Sequence, residues 1–269
     1  MIKEREERDI YFSGIKIDTE IGFEPVTIIK KGYRIGFIAI TQFMNAPFNR
    51  NYVLLANYDN TDDAKYVIDL ISEVSEGYDL FIVSYHGDVE YSLTPDPAKV
   101  EFFHDLLDAG AHIIYGHHPH VPQPYEIVNV NGLNKIILYS TGNFISGQGY
   151  IIDPGMPFDY WSYTGDSVVF ILKTEFTESG PSITNVEPYL IGNYTTERKD
   201  VVVEPLENLA SKELPGLWSD FYKARYSILS DFMEESSIYT VIGNEAISSL
   251  EPEPEPEPDS NEESPEPDN

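Results

Sequence analysis

The segment between residues 35 and 115 alternates short apolar runs with helical patterns, and this order restricts the fold more than any other feature of the chain. Three runs have the composition of buried strands: Ile35–Ile40, Leu80–Ser84 and Ile113–Tyr115. Two helices are predicted between them, over residues 62–76 and from Pro97 to Gly110. A β-α-β-α-β order favours parallel strands with right-handed crossovers. The chain is therefore predicted to be an α/β protein whose strand-end loops open on one edge of a sheet.

The sequence downstream of residue 120 predicts further strands and one long helix. Asn131-Gly132 lies between two strand-like arms, Tyr125–Val130 and Leu133–Tyr139, and indicates a β-hairpin. Two more strands are predicted at Ser167–Lys173 and Ile183–Leu190, followed by a helix over Leu217–Glu235.

Three of the six histidines stand together directly after the strand Ile113–Tyr115, in the segment Gly116-His117-His118-Pro119-His120. Imidazole binds divalent metals as the neutral base and also acts as a general acid or base. His86 follows the preceding predicted strand, so it is expected to lie beside the cluster at the carboxyl edge of the sheet. Asn143, in the loop 140–144, is a candidate for the same site. The competing interpretation is a polar loop ordered by hydrogen bonds.

The net charge of −29 argues against several partners. The last 19 residues hold nine acids and no base, which leaves 46 − 9 = 37 acids against 17 bases in residues 1–250. Both parts are acidic, so we expect neither a nucleic-acid partner nor an anionic membrane surface. The Glu-Pro repeats predict a disordered tail over 251–269. We also expect no transmembrane segment and no signal peptide, and the cellular location stays unassigned.

Three motifs resemble the CapA family of poly-γ-glutamate capsule biosynthesis, which is similar in fold to the calcineurin-like metallophosphatases. The family's His-Trp-Gly-x-Glu-Tyr motif resembles residues 86–91, its Gly-His-His-Pro-His motif is found at residues 116–120, and its Tyr-Ser-Leu-Gly-Asn-Phe motif resembles residues 139–144. The resemblance implies a layered α/β sandwich. The implied metal ligands are His86, His118 and His120. The candidate catalytic residues are His117, Glu90 and Asn143, although Glu90 could instead support a histidine ligand or be merely exposed.

The departures from the family pattern predict an incomplete domain. Family members carry Asp-containing and Asn-His motifs upstream of the matching region, and neither an Asn-His nor an Asp-x-His pair occurs in this sequence. Gly87 and Asp88 stand where the motif has Trp-Gly. The resemblance is therefore to the C-terminal part of the domain, with the N-terminal portion missing. We divide the chain into this domain (1–205), a helical C-terminal extension (206–250) and the acidic tail (251–269).

The resemblance implies a role in capsule or poly-γ-glutamate biosynthesis or export, with a partial metal site. Mn, Fe or Zn would be the bound ion, and a partner chain would supply the N-terminal half of the domain. The expected reaction is then metal-assisted hydrolysis or transfer at a phosphoryl or amide-like centre, on a polyanionic or phosphorylated substrate. The alternatives are a non-catalytic binding or scaffold protein and a fragment that folds poorly.

Overall fold

The computed structural model describes residues 10–45, 47–148, 152–155, 160–196, 198, 200–235 and 237–242. Within them, seven strands form one mixed sheet in the order β1-β2-β3-β4-β6-β5-β10. Their bounds are β1 Val26–Lys30, β2 Tyr33–Thr41, β3 Leu80–His86, β4 Ile113–His117, β5 Tyr125–Val130, β6 Leu133–Leu138 and β10 Ser237–Ile242. A second sheet of three antiparallel strands contains β7 Asp166–Thr177, β8 Gly180–Thr195 and β9 Val201–Pro205.

The predicted β-α-β-α-β unit is confirmed. Strands β2, β3 and β4 are parallel neighbours, and β6 continues the parallel set beyond β4. The first crossover contains helix α1, Thr61–Ser75, which begins after Asn60, whose side chain accepts the backbone N–H groups of residues 62 and 63. The second contains helix α2, Pro97–Asp108, which is capped by Asp96 and has proline at its first position. Both helices cover the same face of the sheet through an apolar core.

The predicted hairpin is confirmed as the pair β5 and β6, which are antiparallel in register from Tyr125↔Leu138 to Val130↔Leu133. Asn131 and Gly132 both have positive φ, 52° and 85°. A two-residue turn with this backbone matches the twist of the flanking strands, and Asn-Gly adopts it at low cost. The sequence signal was strong because the turn needs these residue types.

The second sheet packs against the other face of the seven-stranded sheet and is itself covered by helices. Helix α3, Leu206–Ser211, and helix α4, Trp218–Glu235, bury apolar side chains in one core with both sheets. This core includes Ile136 and Leu138 from β6, Val168 and Ile183 from the second sheet, and Leu209, Phe221 and Leu229 from the helices. The result is the layered α/β sandwich that the sequence predicted.

The region 206–250 contains a strand in addition to the two helices. Strand β10 pairs in parallel with β5 and forms one edge of the large sheet. Helix α4 is tied to the second sheet by Arg225, which donates from Nε and Nη2 to the carboxylate of Asp166, and both side chains are buried. Residues 206–235 and 237–242 therefore pack as part of the sandwich. The Glu/Pro tail lies outside the described residues, and none of the described helices is long and apolar enough to cross a bilayer.

Candidate metal centre

The candidate residues meet at the carboxyl ends of β2, β3 and β4. In the parallel register, His86 at the end of β3 pairs with Thr41 on one side and with His117 on the other. The loops after β3 and β4 are joined by two backbone hydrogen bonds, from Gly87 N to His117 O at 3.0 Å and from Tyr91 N to Pro119 O at 2.8 Å. The strand order thus brings the His86 loop beside the histidine cluster, as the sequence predicted.

Three side chains from these loops point toward a common position. The nearest nitrogen of His118, Nε2, lies 3.9 Å from Glu90 Oε1, and His120 Nε2 lies 4.0 Å from the same oxygen. One ligand atom from each of the three residues lies within 4.8 Å of the other two. We call this set the Glu90–His118–His120 group. It contains both histidines with the i, i+2 spacing in the cluster and one carboxylate from the neighbouring loop.

The ring of His120 is fixed by Asn143. His120 Nδ1 lies 3.0 Å from Asn143 Oδ1, an amide oxygen that can only accept, so Nδ1 carries the proton and Nε2 presents its lone pair toward Glu90. The Asn143 amide nitrogen in turn donates to Gln148 Oε1 at 2.8 Å and to Thr164 O at 2.9 Å. These two bonds determine which way the amide faces. Asn143 therefore orients the His120 ring through Nδ1, the nitrogen that is not the candidate ligand atom.

The ring of His118 is oriented by His86. The Thr41 hydroxyl donates to Phe43 O at 3.0 Å, which leaves its oxygen to accept from His86 Nδ1 at 3.1 Å. His86 Nε2 is then an acceptor, and His118 Nδ1 donates to it at 3.2 Å. This assignment gives each of these three hydrogen bonds one donor and one acceptor. It leaves His118 Nε2 with a lone pair on the Glu90 side. His86 thus contacts a histidine of the group through a hydrogen bond.

His117 points away from the Glu90–His118–His120 group. Its Nε2 lies 3.1 Å from Ser84 Oγ, and its ring packs 5.5 Å from Tyr115 and 5.1 Å from His86, measured between ring centroids. Burial, together with the neighbouring His86 and His118, lowers the pKa of His117 to about 4. The ring is therefore neutral at physiological pH. A direct catalytic role for His117 stays a prediction, as does metal ligation by His86.

The electrostatics of the group favour neutral imidazole at His118. Burial lowers its pKa to about 4, with His86 adding to the effect and Glu90 opposing it. Burial also lowers the pKa of His86. Metal ligation requires the unprotonated ring, so this environment presents the ligand in the form that binds. The side chains of His118 and His120 are 13% and 30% exposed, whereas Glu90 is 51% exposed and forms the solvent side of the group.

The backbone around the group is unusual. Four of the six non-glycine residues with positive φ among the described residues belong to the two loops: Asp88 at 123°, Tyr91 at 64°, His118 at 107° and His120 at 65°. A side chain with a Cβ is uncommon at such angles, and φ above 100° is further from the left-handed helical minimum. Strained backbone is retained where the surrounding structure holds it, and it concentrates at functional sites.

Sequence reasoning missed a buried ionic cluster behind the group. Lys99, in helix α2, has a fully buried ammonium that donates to Asp88 Oδ2 at 2.8 Å, to Tyr139 O at 2.8 Å and to Gln123 Oε1 at 3.2 Å. Burial lowers the pKa of Lys99, and the carboxylate of Asp88 opposes that shift. The signal was present in the helical spacing, because Lys99 lies one turn before Phe102 and Phe103 on the buried face of the helix.

The donor set fits one divalent ion. Two imidazole nitrogens and a carboxylate oxygen are the ligand types of catalytic zinc sites, and they also suit Mn²⁺ and Fe²⁺. Ligands that bind one ion at about 2.0–2.2 Å lie roughly 3–4 Å from each other. The separations of 3.9 and 4.0 Å to Glu90 Oε1 lie at the upper end of that range. The tautomers of both histidines already point a lone pair inward.

Comparisons with known proteins find similarity over part of the chain. It is 39% identical over 88 residues to the PGA biosynthesis protein CapA of Bacillus subtilis (strain 168), a match that covers 33% of this chain and 22% of that protein. It is 34% identical over 110 residues to the capsule biosynthesis protein CapA of Bacillus anthracis, covering 41% and 23%. The matches thus span less than a quarter of the length of either relative. Residues 1–148, which include every candidate site residue, match the family described as bacterial capsule synthesis protein PGA_cap, and the chain belongs to that family.

Proposed function

We propose that this chain supplies a three-ligand divalent-metal site to a system of capsule or poly-γ-glutamate biosynthesis. The observation that carries the proposal is the convergence of Glu90, His118 and His120, whose ligand atoms lie within 4.8 Å of one another. The biological process is supported by two relatives, which are named for PGA biosynthesis and capsule biosynthesis. Mn²⁺, Fe²⁺ and Zn²⁺ are the candidate ions because all three accept imidazole together with carboxylate.

The site suits an anionic substrate only when an ion is bound. Such an ion would polarise a phosphoryl or carbonyl oxygen and lower the pKa of a coordinated water. Without it, the charges near the opening are unfavourable to an anion, because Glu90 is half exposed and the ammonium of Lys99 is buried and paired with Asp88. A phosphorylated or polyanionic substrate would therefore approach from the Glu90 side. Asn143 and His86 would keep the two histidine rings in place during binding.

Two-metal catalysis would need more ligands than the Glu90–His118–His120 group provides. Within the part of the chain that the structure describes, one group of three metal-ligating side chains converges, which is enough for a single ion. Two-metal hydrolases instead bind two ions and hold the reacting oxygens between them. We propose that a partner chain with the N-terminal half of the domain completes the site for hydrolysis or transfer. The second candidate function is non-catalytic binding or scaffolding by the single-ion site, and the half-exposed Glu90 at an open position favours it.

Metal titration of the purified chain tests the proposal. Calorimetry with Mn²⁺ and Zn²⁺ should detect one ion per chain, and His118→Ala or His120→Ala should weaken binding at least tenfold. His104→Ala is the matched control, because His104 lies on helix α2 and bonds to Glu126 instead. Absence of binding to the unmodified chain, or equal losses in the control, would overturn the metal site. Hydrolysis of bis-p-nitrophenyl phosphate only after addition of the N-terminal polypeptide would favour the enzyme over the scaffold.

A further inference from the structure

The loop that carries Glu90 contains a residue with an unexpected backbone. Asp88 has φ of 123°, a conformation that glycine adopts readily and that residues with a Cβ rarely adopt. The family motif has glycine at this position, so here an aspartate takes a glycine's conformation. Something in the surrounding structure must hold it, because an isolated aspartate would relax to negative φ.

The side chain of Asp88 is held on both carboxylate oxygens. Oδ2 accepts from Lys99 Nζ at 2.8 Å and from Gln123 Nε2 at 3.1 Å, and Oδ1 accepts from Val89 N at 2.7 Å. The backbone N–H of Asp88 donates to Gln42 Oε1 at 2.8 Å. Asp88, Lys99 and Gln123 are all buried, with 3%, 0% and 0% exposure. A buried ion pair whose hydrogen-bonding groups all have partners is rigid, because breaking the pair leaves a buried charge without compensation.

This cluster connects the Glu90 loop to the rigid parts of the fold. Lys99 belongs to helix α2, and its third acceptor is the carbonyl of Tyr139, which follows strand β6. Gln123 also donates to Ser92 O at 3.0 Å, at the far end of the same loop. The loop is thus attached on both sides of Glu90. On its other side, Tyr91 N bonds to Pro119 O, between the two histidines of the group.

We propose that Asp88 and Lys99 are positioning residues for the Glu90–His118–His120 group. Their ion pair holds residues 87–91 in the strained conformation that brings the Glu90 carboxylate within 4.0 Å of both histidines. The inference rests on the proposed metal site, but it also makes a claim about the loop itself, which is measurable without metal.

Lys99→Met tests the pair, because methionine has a similar length and no charge. The unpaired Asp88 carboxylate should then leave its buried position and the loop should relax. We expect Mn²⁺ affinity, measured by calorimetry at a temperature where the variant is folded by circular dichroism, to fall about 10–100-fold. We expect amide exchange over residues 87–92 in metal-free protein to rise at least tenfold. The double variant Asp88→Gly/Lys99→Met should bind Mn²⁺ within about threefold of the unmodified chain, since glycine accepts the backbone conformation without a charge pair.

Lys135→Met is the matched control. Lys135 is another partly buried lysine, and its ammonium donates to Leu107 O at the opposite end of helix α2. This variant should lose stability without changing either Mn²⁺ affinity or exchange in the loop. Unchanged loop exchange and affinity in Lys99→Met, or losses in Lys135→Met that match those in Lys99→Met, would overturn the positioning role. If the unmodified chain binds no Mn²⁺, the proposed function fails, and the exchange experiment still decides whether the pair holds the loop.

Discussion

Asn143 Oδ1 accepts a hydrogen bond from His120 Nδ1 at 3.0 Å, across 23 residues of sequence, and this contact sets the tautomer of a candidate metal ligand. Asn143→Leu should weaken Zn²⁺ binding about 10–100-fold, because the ring of His120 loses the acceptor that orients it. Asn143→Asp keeps the acceptor oxygen, so it should lose less. Competition with a chromogenic chelator measures both constants. Equal losses in the two variants would show that the Asn143 amide nitrogen matters more than the oxygen.

Gly116 has no room for a side chain. A Cβ at this position would lie 2.1 Å from Tyr139 O and 2.8 Å from Leu138 O, both backbone atoms of the neighbouring chain segment. Gly116→Ala should therefore lower the free energy of unfolding by about 1–3 kcal/mol or more, since backbone cannot move aside as a flexible side chain can. Guanidinium denaturation followed by circular dichroism measures the loss. Gly22→Ala is the control, because nothing lies within 4 Å of a Cβ there, and it should change stability by less than about 0.5 kcal/mol.

The His104–Glu126 pair should make stability depend on pH. His104 Nε2 lies 3.0 Å from Glu126 Oε2, and this hydrogen bond raises the pKa of His104, against burial, with Asp108 and Asp105 adding to the increase. The pKa of His104 is higher in the folded state than in the unfolded state. The stabilisation that the His104–Glu126 pair provides is therefore complete below about pH 6.5 and is lost as the pH rises through the folded-state pKa.

His104→Ala isolates this contribution. At pH 6 the variant should be less stable by about 1–2 kcal/mol, and by pH 9 the difference should shrink, because neutral histidine is worth less beside a carboxylate. Thermal unfolding of both proteins across this range gives the comparison. Parallel curves for the two proteins would exclude a role for His104 protonation.

The Arg225–Asp166 pair should be a major anchor of helix α4. Arg225 is 1% exposed and Asp166 is fully buried, so removing one partner leaves the other charge without compensation. Arg225→Met should cost about 3–5 kcal/mol in the free energy of unfolding. The double variant Asp166→Asn/Arg225→Met should cost less than the sum of the two single changes. Additive losses in the double-mutant cycle would indicate that the two side chains do not interact.

Local sequence patterns determined much of the fold. The strands β2, β3 and β4 and the helices between them follow from apolar periodicity, and the β5–β6 hairpin follows from Asn131-Gly132. These elements could be predicted because each depends on residues close together in the chain. The edge strand β10 was not predicted, because its pairing with β5 joins residues more than one hundred positions apart.

For the candidate site too, the sequence predicted some features and the tertiary structure decided others. The sequence by itself selected the clustered histidines, and strand order alone predicted that His86 would lie beside them. It did not determine which nitrogen faces inward, that Glu90 joins His118 and His120, or that Lys99 is paired with Asp88. Those relations depend on hydrogen bonds across 11 to 46 residues, between side chains whose positions are set by packing. Only the tertiary structure decides them, because the energy of such a contact depends on burial and distance, which a one-dimensional pattern does not contain.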